Sequence, residues 1–177
     1  MQLSFYFDQS RCSGCQTCVV ACKDWNDVPS GPAAWLRMPT TEKGQFPKVM
    51  VNFLYLTCFH CLQPICISAC PTGALTKRVK DGIVVVNHEL CLPNCQACLI
   101  VCPYQAPQFR KDDALMEKCD FCLERIKAGL RPVCIDSCPQ RALDCGPKET
   151  LSVKYPSAVP WVEDYPDPTT TQPALLI

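Results

Sequence analysis

Cys12, Cys15, Cys18 and Cys22 stand in the spacing C-x2-C-x2-C-x3-C. This is the bacterial ferredoxin run, in which three thiolates hold one iron-sulfur cubane and the fourth ligates a neighbouring cluster. Three further quartets follow: Cys58, Cys61, Cys66 and Cys70 are spaced x2, x4, x3; Cys91, Cys95, Cys98 and Cys102 x3, x2, x3; Cys119, Cys122, Cys134 and Cys138 x2, x11, x3. The four quartets take sixteen of the seventeen cysteines and leave only Cys145. Cys70, Cys102 and Cys138 are each followed by proline, so a one-turn helix carrying two thiolates is expected to stop or turn there. Cys22 is followed by Lys23, and the first quartet is expected to run on as helix to Trp25.

Other uses of cysteine fit poorly. A disulfide framework suits a small secreted chain, but an odd count of 17, regular short spacings and the lack of a secretory signal argue against it. Zinc knuckles could use Cys58/Cys61 or Cys119/Cys122, yet zinc leaves the third and fourth cysteine of every set unexplained. Cys145 reads as a small buried hydrophobe, with a reactive thiol as the minor alternative.

Cysteine supplies much of the 48% hydrophobic content, and proline is as common as cysteine at 17 residues. A chain of 177 residues with this make-up gains much of its core from metal, so the metal-free form is expected to be largely unfolded. Free thiols at this density call for a reducing or anaerobic site of assembly. Formal charge is zero, from 17 basic and 17 acidic residues, which gives no support for nucleic-acid binding. Four oxidised clusters with their thiolates would bring the total to about −8, so nearby Lys and Arg matter for potential and docking. No apolar run is long enough to span a membrane, and localisation stays open because a partner could carry the folded chain across.

In chain order, Leu3 to Phe7 is expected to form a strand leading into the first cysteine loop, where Gly14 suits a backbone turned toward cluster sulfur. Residues 26 to 47 carry many breakers and read as an insertion that caps a cluster, touches a partner or is solvated loop. Lys48 to Thr57 is a strand candidate. His60 is expected to shield a cluster or donate a hydrogen bond rather than to ligate, since four thiolates are already available. Pro64 opens a short helix. Ala74 to Lys77 and Ile83 to Val86 form a hairpin, His88 is exposed without chemistry, and Pro93 bulges the loop from Cys91 to Cys95. Pro107 to Arg110 and Ala114 to Lys118 flank a turn at Asp112-Asp113. Asp120 to Ala128 is a helix stopped by Gly129, and Ala142 to Cys145 a strand. Past Pro147, the prolines at 156, 160, 166 and 168 point to an extended arm, with Trp161 and Ala174 to Ile177 buried on a partner.

Ferredoxin halves exchange their fourth ligands. The second and third quartets begin 33 residues apart, as in a compact two-cluster ferredoxin, which leaves the first to pair with the fourth. One cluster is therefore expected on Cys12, Cys15, Cys18 and Cys138, a second on Cys58, Cys61, Cys66 and Cys102, a third on Cys91, Cys95, Cys98 and Cys70, and a fourth on Cys119, Cys122, Cys134 and Cys22. The expected fold class is α+β, with two ferredoxin-like units. Residues 1–57 and 103–147 make the outer unit, 58–102 the inner unit inserted in it, and 148–177 an extended partner-binding tail.

These motifs resemble the four-cluster iron-sulfur subunits of the molybdopterin oxidoreductases, nearest to those of the dimethyl sulfoxide reductases. The resemblance rests on Arg11-Cys-Ser-Gly-Cys-Gln-Thr-Cys18, Cys58-Phe-His-Cys-Leu-Gln-Pro-Ile-Cys66, Cys70-Pro-Thr-Gly-Ala74, Lys118-Cys-Asp-Phe-Cys122 and Cys138-Pro-Gln-Arg-Ala-Leu143. It implies four 4Fe-4S clusters in a non-catalytic electron-transfer subunit. It also implies a large molybdenum or tungsten bis-pterin subunit as partner, and a membrane quinol anchor or a soluble carrier as the other redox partner. The pair of clusters from the first and fourth quartets would face the catalytic subunit. The competing reading is a soluble polyferredoxin serving a hydrogenase or formate-dehydrogenase system; the tail and the 26–47 insertion favour the subunit. No acid/base pair or pocket motif suggests an independent catalyst.

Overall fold

A computed structural model of the protein describes residues 1–110 and 114–177. Strand β1 (Leu3–Phe7) is the centre of the largest sheet. Its alternation is physical: Phe5 and Phe7 point into the core at 0% and 1% exposure, while Tyr6, on the other face, stacks on Tyr155 at 3.6 Å. The next elements are α1 (Thr17–Trp25), β2 (Leu36–Arg37), β3 (Thr40–Gln45), β4 (Lys48–Phe53) and β5 (Leu56–Thr57). The middle of the polypeptide supplies α2 (Ile65–Ser68), the hairpin β6 (Leu75–Lys77) and β7 (Val84–Val86), α3 (Ala97–Val101), and the hairpin β8 (Gln108–Phe109) and β9 (Met116–Glu117). After them come α4 (Leu123–Lys127), α5 (Val133–Asp136), β10 (Leu143–Pro147), α6 (Lys148–Lys154) and β11 (Leu175–Leu176).

The architecture is mixed helix and strand in short pieces. β10 pairs antiparallel with β1, setting Cys145 opposite Phe5, and β11 pairs parallel on the other edge. The segments that flank the first and fourth quartets are thus brought together at one sheet, and α1 also packs on α5. α2 packs on α3, joining the second and third quartets. The main core is aromatic. Phe5 stacks on Phe121 at 4.3 Å and meets Tyr55 edge-on at 5.6 Å, and Phe59 meets Tyr104 edge-on at 4.9 Å. A smaller cluster of Leu75, Val84, Cys98 and Met116 lies under the third set of cysteines.

Three stretches depart from the sequence-based expectation. The strand expected over Lys48 to Thr57 is broken, and its first part pairs with β3 from within the 26–47 insertion to form a projecting hairpin. The helix expected from Asp120 begins only at Leu123, because Phe121 and Cys122 take left-handed backbone (φ 65 and 49) to wrap the cysteine loop. The tail differs most. It opens with α6, and its end turns back onto its own polypeptide rather than leaving it: Thr171, Ala174 and Leu175 are at most 1% exposed. Trp161 is 40% exposed and donates its indole N–H to the Tyr165 carbonyl at 2.8 Å. The expected turn at Asp112-Asp113 lies outside the described residues, although β8 and β9 pair on either side of it. Among the described residues no helix is long and apolar enough to cross a membrane.

Candidate metal centres

Each cysteine loop ends in a short helix that begins without a side-chain cap, so nearby backbone amides stay free to face sulfur. Cys12, Cys15, Cys18 and Cys138 line one concavity, partly open to solvent, walled by Phe7, Met38 and Leu143. Cys70, Cys91, Cys95 and Cys98 line a second with Leu75, Leu92 and Met116. Cys58 and Cys102 each bear electrostatically on both Cys61 and Cys66. Cys22, Cys119, Cys122 and Cys134 bear on one another in the same way. The sixteen cysteines of the quartets thus lie in four groups, each drawing its members from two quartets. Cys145 stays apart, half-buried on β10, its thiol pushed up to about 12 by burial and by Asp144.

The sets also bear on one another electrostatically in a definite order. Cys18 of the first set bears on Cys134 of the fourth, Cys58 of the second on Cys119 of the fourth, and Cys98 of the third on Cys66 of the second. The sequence of neighbours is first, fourth, second, third. Cys15 of the first set is exposed, whereas Cys22, Cys122 and Cys134 of the fourth are buried.

The donor chemistry fits iron-sulfur cubanes. Burial, reinforced by the neighbouring thiols, pushes Cys18, Cys61 and Cys66 up to about 12 and Cys98 up to about 11. Four such groups become thiolates together only when positive charge enters among them, and cluster iron supplies it. Peptide N–H groups already point at sulfur: Phe121 to Cys119 and Ala142 to Cys138 at 3.4 Å, and Ala106 to Cys102 at 3.5 Å. The Asn26 amide lies 3.6 Å from the Cys22 sulfur. Among the described residues no group of three or more His, Cys, Asp or Glu is arranged for a single metal ion.

His60 is 0% exposed, and its Nδ1 accepts the Val84 N–H at 3.0 Å, with the Cys58 sulfur 3.9 Å away. Burial, then the charges of Lys118 and Lys77, hold its pKa well below the ordinary histidine value, so the ring is neutral. It packs edge-on to Phe121 at 5.5 Å, where the second and fourth sets meet. His88 is exposed, as expected. Sequence reading assigned no role to three residues that the structure brings to the sets. Tyr55 is fully buried with its hydroxyl 3.6 Å from the Cys134 sulfur. Lys118 is 4% exposed and donates to the Val84 and Cys119 carbonyls. Thr171, 1% exposed, shares a hydrogen bond with the Tyr104 hydroxyl at 3.0 Å. Lys118 alone left a signal, as a lysine directly before a C-x2-C pair.

Residues 49–148 match a family profile described as a 4Fe-4S dicluster domain, and residues 11–74 match a second profile of the same description. The B subunit of the anaerobic dimethyl sulfoxide reductase of Haemophilus influenzae is 38% identical over 185 aligned residues, spanning 99% of this sequence and 88% of that one. Its counterpart in Escherichia coli is 40% identical over 162 residues, 87% of this sequence and 78% of that protein. Protein NrfC of Escherichia coli is 38% identical over 140 residues, 78% of this sequence and 62% of that protein.

Proposed function

This protein belongs to the 4Fe-4S dicluster family and is an iron-sulfur electron-transfer subunit like the B subunits it resembles, and from that premise we propose how it conducts. Four 4Fe-4S clusters sit on the four crossed cysteine sets, and single electrons pass along the order first, fourth, second, third. What supports this reading is the neighbour relation among the sets, which runs from an exposed sulfur through enclosed ones to the concavity at the third set. The clusters supply the one-electron chemistry. The protein's own work is to hold thiolates, exclude water from the two middle sets and place N–H donors against sulfur.

The two ends of the line meet different partners: a large molybdenum or tungsten bis-pterin subunit at the first set, and a membrane quinol anchor or soluble carrier at the third. With the tail committed to its own polypeptide, the β3–β4 hairpin is the insertion left to meet a partner. It leaves Phe46, Val49, Met50 and Val51 exposed beside the loop of the first set. Leu90, Leu92 and Ile100 are exposed at the other end.

Anaerobic isolation of the complex tests this. Iron and acid-labile sulfide should each approach sixteen per polypeptide, about four per cluster, and a pterin-metal subunit should co-purify. Stoichiometric zinc, or a stable monomer with full iron and no partner, would favour another function; the second result is what a free polyferredoxin gives.

A further inference from the structure

Lys118 is 4% exposed, and among the described residues it is the one buried Lys or Arg. Its ammonium donates to the Val84 carbonyl on β7 and, at 2.9 Å, to the Cys119 carbonyl. Among the described residues no carboxylate pairs with it. The cations that do have carboxylate partners, Lys43, Arg78, Arg110, Arg125, Arg131 and Lys154, keep between 15% and 59% of their side chains exposed. The acids beside Lys118 in sequence are engaged elsewhere, Glu117 with Arg110 at 2.7 Å and Asp120 with the Cys122 N–H at 2.8 Å. A buried charge held only by neutral carbonyls is costly unless opposite charge lies close by.

The two carbonyls belong to opposite sides of one crossing. Cys119 is itself a ligand of the fourth set in the proposed assignment. Val84 reaches the second set through its other backbone group: its N–H donates to His60 Nδ1 at 3.0 Å, and that nitrogen stands 3.9 Å from the Cys58 sulfur. One ammonium is thus tied by hydrogen bonds to the frames of both sets. Each oxidised cluster with its thiolates carries about two negative charges, so the two sets together bring about four. Lys77, which donates to the Cys61 carbonyl at 2.7 Å, is only half-buried, and water screens its charge.

We propose that Lys118 is the counter-charge shared by the clusters of the second and fourth sets, and that it raises both reduction potentials together. This rests on the proposed ligand assignment. On reduction one electron enters a cluster, no covalent bond forms or breaks, and the protons stay on Lys118 Nζ. The fixed positive charge favours the added electron, and burial keeps that attraction from being screened. A mere clasp behaves differently, because hydrogen bonds to two carbonyls hold the loop whether or not the donor is charged.

The test is an EPR-monitored redox titration of the anaerobically isolated complex in wild type, Lys118→Gln, Lys118→Met and Lys118→Arg, with iron per polypeptide measured on each. Cys58→Ser and Cys119→Ser mark the signals of the second and fourth sets. Lys118→Gln, which keeps N–H donors and loses the charge, should lower both marked midpoints by about tenfold in the reduction equilibrium, about 59 mV for one electron. Lys118→Met should do the same, Lys118→Arg should stay near wild type, and the other two midpoints should hold. Lys77→Met should shift the second-set midpoint by less. Wild-type midpoints in Lys118→Gln overturn the proposal, as does an equal lowering in Lys118→Arg, or a shift confined to one centre or common to all four. Selective loss of the two marked clusters from Lys118→Gln and Lys118→Met, with Lys118→Arg fully loaded, is what removal of a required counter-charge gives; the same loss from all three makes the lysine structural and overturns it. Failure of the underlying assignment looks different: wild type would then hold well under about sixteen iron per polypeptide, four per cluster, or the two serine variants would leave every signal unchanged.

Discussion

Gly14 offers a sharp test of how the first set is built. It lies in the loop between Cys12 and Cys15 at φ +67, and a Cβ placed there would run into the ring of Phe53 at the end of β4. Gly14→Ala therefore carries two separable costs. Left-handed backbone costs an L-residue about 1–2 kcal/mol. Displacing a packed ring costs about 1–3 kcal/mol. The sum, about 2–5 kcal/mol, cuts the population of the ligand-ready loop roughly thirty-fold to a few thousand-fold at about 1.4 kcal/mol per tenfold. Phe53→Ala removes only the ring contribution. The double variant should thus recover about 1–3 kcal/mol as coupling energy while the backbone cost persists. The assay is anaerobic, chelator-promoted loss of the visible iron-sulfur absorption in the four proteins of the cycle, with iron per polypeptide measured alongside. Gly14→Ala should lose its most labile cluster fastest and hold about one quarter less iron, one 4Fe-4S cluster in four. Full iron with a wild-type loss rate in Gly14→Ala would refute the reasoning. A coupling energy near zero would show that the hairpin does not brace this loop.

Two further outcomes follow from the same structure. Asp144 is buried, which alone would raise its pKa, yet hydrogen bonds from Lys154 at 2.7 Å, Tyr155 at 2.8 Å and the Cys145 N–H hold it below the ordinary carboxylate value. A depressed carboxylate contributes stability above its unfolded pKa, about 3.9, and loses it as pH falls through the lower folded value. Asp144→Asn should accordingly cost about 1 kcal/mol at pH ~7, discounted for the solvent-exposed Lys154, and the gap to wild type in denaturant midpoint should shrink toward pH ~3. Leu175 is 1% exposed on β11, so Leu175→Ala should destabilise by about 2–5 kcal/mol and speed chelator-promoted cluster loss, whereas a tail that merely rested on a partner would show no change in the isolated protein.

The 4Fe-4S character was legible because ligand spacing is a local property: a C-x2-C loop and a one-turn helix meet the same cluster geometry wherever they occur. β1 and the β6–β7 hairpin were legible for a similar reason, since one face of each is buried. The β3–β4 hairpin was not. Thr40 to Gln45 is polar, and most of both strands is exposed, so no burial pattern marks the pairing. Proline correctly pointed to irregular backbone beyond Tyr155, but composition cannot say whose surface an extended segment covers. The clue was the placement of Tyr165, Thr171 and Leu175, buried groups in an otherwise polar run. The late start of α4 was hidden as well, because left-handed backbone at Phe121 and Cys122 is imposed by the loop rather than by either side chain.

The proposed assignment implies two kinds of spacing between clusters. Cys18 and Cys22 lie four residues apart and so share a face of α1, yet one belongs to the first set and the other to the fourth. Cys134 and Cys138 make the reciprocal exchange. Cys66 and Cys70, with Cys98 and Cys102, do the same for the second and third sets. For the first and fourth sets the separation is thus tied to a helical turn of about 5.4 Å in α1, and for the second and third to a three-residue step of backbone that starts in α2 or α3 and ends just past it. No such helix joins the second set to the fourth. Their approach at Cys58 and Cys119 depends on His60 against Phe121, on Lys118 bridging Val84 and Cys119, and on the end of the polypeptide, whose Ala174 N–H donates to the carbonyl of Phe59 beside His60. Side-chain packing is deformable where a helix turn is not, so the crossing between these two sets is the step whose distance and potential the protein sets by tertiary contacts, and the three noncovalent supports converge on it.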